Sequence, residues 1–150
     1  MSRSWLAQLN VARLKAPLDS PELAGFMAML GPVNALADAA PGFVWRHTDG
    51  TPHTVGLLGD PCLLVNLSVW ESIEALREFT YGLQAASAHR QVMGHRREWF
   101  HRMRGAHQVL WWIPAGTLPT LAEAEERLRH LQAHRSSPYA FTFRSPRPPP

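Results

Sequence analysis

The chain has 150 residues, 45% of them hydrophobic, one cysteine and a formal charge of +3, enough apolar material for one sizeable core. A lone Cys62 excludes an internal disulfide or a cysteine-based zinc cluster within one chain, and reads as a small buried hydrophobe. The pI near 9.7 invites a nucleic-acid reading, but Arg90, Arg96, Arg97, Arg102 and Arg104 are interleaved with Glu98 and apolar residues, not gathered into a stripe, so no nucleic-acid partner is expected.

In chain order, Trp5 to Leu14 alternates as a strand, with Leu6, Gln8, Asn10 and Ala12 on one side and Trp5, Ala7, Leu9, Val11 and Arg13 on the other. Asp19-Ser20-Pro21-Glu22 starts a helix whose apolar positions are Leu23, Phe26, Met27, Leu30 and Ala37. Pro32 should kink it, and Pro41-Gly42 closes it. GFVWRH is a second strand, and Thr48 to Pro61 reads as a loop. Cys62 to Trp70, nearly continuous in apolar residues, is the strongest strand and reads as buried on both faces. A helical region runs from about Ser72 to Met103, with Gly82 and Gly94 as possible breaks. QVLWWIPA is a further strand, and Thr120 with Glu123 forms a capping box opening a helix with the stripe Leu121, Ala124, Leu128 and Leu131. AFTF and a proline-rich end follow.

The order β-α-β-β-α-β plus a trailing helix predicts an α+β, ferredoxin-like sandwich, its helices on one face of a four-stranded sheet. The domain is expected over 1–135, with 136–150 an extended tail. Trp111 and Trp112 are consecutive on one strand and point to opposite faces. A partner chain burying the second face is therefore expected, and one of these tryptophans with it. No apolar run approaches the roughly 20 residues that span a bilayer, and MSRSWLAQLN lacks the apolar stretch of a secretory signal. A cytoplasmic location and no membrane partner are expected.

Among eight histidines, His130 and His134 stand four apart on the last helix, where they could share a metal or simply suit the dipole; no metal site is expected. His89 lies within about 40° of Met93, Arg96 and Phe100 on a helical projection, in an apolar stripe that is either core or cleft. Arg96 on that face needs a carboxylate, a carbonyl or a ligand, unless it snorkels. Asn10, Asn34 and Asn66 interrupt apolar patterns, and each must find hydrogen bonds. Glu71 and Glu98 each adjoin a tryptophan, Trp70 and Trp99, and burial against such a ring raises a carboxyl pKa toward acid–base use. Gly-rich phosphate loops, a G-x-S-x-G elbow and H-E-x-x-H are absent from the sequence.

NVAR (10–13), PGFVWR (41–46), LVNLSVWES (64–72), RREWF (96–100), LWWIPAG (110–116), PTLAEAEERL (119–128) and AFTF (140–143) together resemble the bacterial family called domain of unknown function 3291. GLQAASA before His89 is a departure, a short insertion. The resemblance implies the dimeric α/β-barrel superfamily, hence a homodimer, with an active cleft between helices and sheet. It also implies that Asn10, Trp70 and His89 match the amide, tryptophan and histidine used by related cofactor-free monooxygenases and haem-degrading enzymes. The expected function is a small-molecule enzyme of secondary metabolism, without an organic cofactor, cyclising or condensing a partly aromatic substrate. His89, Glu71 and Glu98 are its catalytic candidates; Asn10, Asn66, Trp70, Arg96, Trp99 and Phe100 are its substrate-binding candidates. The alternatives are a cofactor-free monooxygenase or haem-linked enzyme, and a non-catalytic ligand-binding or dimerisation module.

Overall fold

The computed structural model describes residues 3–48, 54–55, 60, 62–82, 95, 97–103 and 105–150. The expected β1 spans Ser4–Leu14; a 3-10 turn at Pro21–Leu23 leads into α1, Ala24–Asp38; β2 is Phe43–Arg46. Pro32 sits inside α1 without ending it. A two-residue strand β3, Thr54–Val55, occupies part of the stretch expected to be loop, and pairs with Val65 and Leu64 of β4, Leu63–Trp70. α2 is Ile73–Tyr81. The helix expected to reach Met103 gives way earlier to a strand, β5, Phe100–His101, which pairs with Leu14 and Arg13. β6 is Gln108–Pro114, and α3 is Leu121–His134, begun by Thr120 Oγ1 accepting from the Glu123 N–H at 3.1 Å.

Among the described residues all pairings are antiparallel, and they set the sheet in four lanes: β2 and β3 on β4, β4 on β1, and β1 on β6 and β5. The order β2-β4-β1-β6, with α1 and α2 as the crossovers, is the ferredoxin-like topology. Because side chains alternate along a strand, β1 divides cleanly. Ala7, Leu9 and Val11 join Leu67, Val69, Val109 and Trp111 in one core; Leu6 joins Trp70, Leu76 and Leu110 in another.

The first of these faces is covered by α3, through Ala124, Leu128 and Leu131. Trp111 is fully buried there by its own chain. This corrects the expectation that a partner must cover the second face: the trailing helix does so. Trp112, on the other face, is half-buried and donates its indole N–H to the Arg147 carbonyl at 2.9 Å. The start of the C-terminal tail is equally part of the fold, because Ala140 and Phe141 are fully buried and Phe141 exchanges two backbone hydrogen bonds with Leu110 at 2.8 and 2.9 Å. Cys62, expected to be buried, is exposed: it precedes β4 in a turn where its N–H donates to Asp60 Oδ1 at 2.8 Å. Among the described residues no helix is long and apolar enough to cross a membrane.

Candidate functional site

The face of the sheet beneath α1 and α2 is apolar at both ends and polar in the middle. At one end Leu6, Trp70 and Leu110 pack with Leu76 of α2 and Phe141; at the other Leu14 packs with Leu23, Phe26, Leu64 and Trp99. Between them the strand register sets side chains in rows. Asn66, Asn10 and Gln108 lie directly opposite one another on β4, β1 and β6, and Ser68 and Gln8 form the next row. Cross-strand partners share a face, so all five polar groups emerge on the same side.

The two rows differ in exposure. Gln8 and Ser68 are each only 5% exposed, whereas Asn10 and Asn66 are exposed and Gln108 is half-buried. Desolvating an unpaired amide or hydroxyl is costly, and the buried row is accordingly bonded throughout. Gln8 Nε2 donates to Ser68 Oγ at 2.8 Å, to Asn66 Oδ1 at 3.0 Å and to the Asn66 carbonyl at 3.3 Å. Trp70 Nε1 donates to the same Ser68 Oγ at 2.9 Å, and Gln108 Nε2 approaches Gln8 Oε1 at 3.4 Å. The Trp70 ring is held in turn by Phe79, stacked at 5.2 Å, and by Phe43, edge-on at 5.4 Å. Among the described residues this face thus carries a connected row of amides between two clusters whose tryptophans, Trp70 and Trp99, are buried.

Three of the expected site residues, Asn10, Asn66 and Trp70, meet on this face. Gln8, Ser68 and Gln108 join them unforeseen, although the signal was in the alternation: Gln8 shares the parity of Asn10, and Ser68 that of Asn66. His89 and Arg96 lie outside the described residues. Trp99 and Phe100 belong to the cluster at the far end, around Phe26 at 5.4 and 5.0 Å. Glu98 is exposed and pairs with His95 at 3.2 Å beside a groove of about 460 Å³ shared with Glu22, Met29 and Trp99. Glu71, also exposed, lines a cavity of about 590 Å³ with Arg3, Glu74, Trp112 and Arg147 at the opposite end of the molecule. Neither carboxylate has the burial against a ring on which its acid–base reading rested. Asn34 is on α1, where its carbonyl accepts from Arg46 at 3.2 Å.

A family model described as a domain of unknown function, DUF3291, matches residues 5–150. The chain belongs to the DUF3291 family. Among solved structures, this DUF3291 chain is similar to SnoaB, described as a cofactor-independent oxygenase from Streptomyces nogalater. Identity is 18%, the match covers 78% of this chain and 99% of that one, and the TM-score is 0.46. It is also similar to the NE2512 protein from Nitrosomonas europaea, of unknown function, at 14% identity, 80% and 99% coverage and a TM-score of 0.46. No curated protein matches it.

On the opposite face of this DUF3291 chain, the ring centroids of His130 and His134 lie 4.6 Å apart, and His130 is 4.6 Å from Tyr139. Among the described residues no group of three histidine, cysteine or acidic side chains is placed to hold a metal ion.

Proposed function

We propose that this protein is an enzyme of small-molecule metabolism that holds a neutral, partly aromatic substrate on the helix-side face of the sheet. The observation that carries the reading is the Asn66–Asn10–Gln108 row, exposed at its two asparagines and half-buried at Gln108, and backed by the buried Gln8–Ser68 row. Among the described residues no charged side chain is hydrogen-bonded to these amides, and such donors and acceptors suit carbonyl and hydroxyl oxygens.

Fixed donors of this kind stabilise charge that develops on a carbonyl oxygen when a neighbouring carbon loses a proton. On sequence grounds His89 is the group that takes and returns that proton, since an imidazole ring can do both. The enolate carbon then attacks a second carbonyl of the same substrate, the new alkoxide recovers the proton, and loss of water completes a cyclisation. A homodimer in the cytoplasm belongs to the same proposal, and sedimentation equilibrium decides between one and two chains per particle.

The test is incubation of the purified protein with aromatic polyketones and electron-rich phenols, read by mass spectrometry. Loss of water supports cyclisation; gain of one oxygen with oxygen uptake reassigns the protein to oxygenation on the same face. The Asn10→Leu, Asn66→Leu double variant should lose product by on the order of 10²-fold with an unchanged melting temperature. Undiminished turnover in that variant removes the amide row from the site.

A further inference from the structure

The direction in which each amide of the exposed row points decides what it can hold. Two groups beneath it are one-way: an indole N–H only donates, and a backbone carbonyl only accepts. The Trp70 indole, 2.9 Å from Ser68 Oγ, makes that hydroxyl oxygen an acceptor. The end of the Gln8 side chain lying 3.3 Å from the Asn66 carbonyl must be its NH2, because two oxygens would repel there. The same nitrogen then faces Asn66 Oδ1 at 3.0 Å, so Asn66 turns its oxygen inward and leaves Nδ2 to the open side. Gln8 Oε1 in turn receives Gln108 Nε2 at 3.4 Å, which leaves the oxygen of Gln108 without a partner among the described residues.

We propose that Gln8 and Ser68 are positioning residues that set the polarity of the exposed row, with a donor end at Asn66 and an acceptor end at Gln108. Asn10, midway between them and without a side-chain hydrogen bond among the described residues, can serve either sense. The ligand class follows from this polarity: a planar, uncharged molecule with a carbonyl oxygen at one end and a hydroxyl at the other. Three adjacent lanes at about 4.8 Å separate those ends by up to about 10 Å, the breadth of a few rings. The ligand class rests on the function proposed above; the polarity stands without it.

Side-chain NH2 signals of the 15N-labelled, ligand-free protein test the polarity, with Gln8 and Asn66 assigned by their loss in Gln8→Glu and Asn66→Asp. The NH2 of Gln8 should exchange with water at least about tenfold more slowly than that of Asn66. In Gln8→Glu, whose carboxylate only accepts, Asn66 should turn Nδ2 inward and become the protected group. Faster exchange at Gln8 than at Asn66 in the unsubstituted protein overturns the proposal. Should Gln8→Glu fail to fold, Ser68→Ala replaces it and should bring the two exchange rates together. Binding of 1-tetralone, which only accepts, and 1-naphthol, which can donate, is followed by tryptophan fluorescence. Gln8→Glu should weaken 1-tetralone about tenfold relative to 1-naphthol. If the exchange order holds and the two probes bind equally or not at all, the ligand class falls while the polarity survives.

Discussion

The guanidinium of Arg127 lies 3.8 Å from the ring centre of Tyr139 and donates to that residue's own carbonyl at 2.8 Å. One side chain thereby ties α3 to the segment that follows it, by a cation–π contact and a hydrogen bond together. Replacing Arg127 by Ala should destabilise the protein by about 1–3 kcal/mol in urea unfolding, while Lys, which cannot lie flat on the ring, should recover little of that.

Burial holds the Tyr139 phenol above its ordinary 10.0, with a hydrogen bond to Glu126 adding to the shift and the Arg127 charge opposing it. A raised folded-state pKa means that the fold favours the protonated phenol. That stabilisation is complete below pH 10.0 and is lost as pH rises through the higher folded-state value. The alkaline fall in melting temperature should therefore be shallower in Tyr139→Phe than in the parent. Identical alkaline limbs remove Tyr139 from the effect.

Leu128 of α3 is fully buried in the core that also holds Trp111. Leu128→Ala should cost about 2–5 kcal/mol by denaturant titration. The variant should also bind a hydrophobic dye that the parent does not, because loosening α3 uncovers the face of the sheet beneath it. A cost under about 1 kcal/mol means the helix is dispensable to that face.

Gly42 has φ 83°, and a Cβ there would sit 2.5 Å from the Cβ of Ala75 on α2. Its carbonyl also accepts the Glu71 N–H at 2.7 Å, so the turn has little room to shift. Gly42→Ala combines backbone strain with a steric clash and should cost at least about 2 kcal/mol. Adding Ala75→Gly should restore part of it, since this relieves the clash and leaves the strain.

His89→Gln keeps a hydrogen-bonding side chain that cannot titrate. With a substrate in hand, it should lower turnover by roughly 10²- to 10⁴-fold at an unchanged melting temperature. Full activity in that variant ends the acid–base assignment.

How far these features were legible depended on the range of the interaction behind them. β1, β4 and β6 were readable because alternation is local, and the same alternation already placed Gln8 beside Asn10. The cap at Thr120 was readable because it joins residues three apart. β3 and β5 are two residues each and exist only through pairing with β4 and β1, so no local pattern could announce them. The apolar stripe of α3 was evident, but which face it closes is a matter of chain path, hence the misplaced expectation for Trp111. Ser68, a small polar residue in a strong strand, reads as neutral until the Trp70 indole and Gln8 are seen to converge on it.

The closure of one sheet face by α3 and the Tyr139–Ala140 segment bears on the birth of the molecule. All four lanes of the sheet are encoded before Leu121, so a chain leaving the ribosome can assemble them with Leu9, Val69 and Trp111 still bare. At about 5–20 residues per second, the covering residues follow after a delay on the order of a second or more. A sheet assembled before α3 docks would present this apolar face to a chaperone or a neighbouring nascent chain, in competition with its own C-terminal helix.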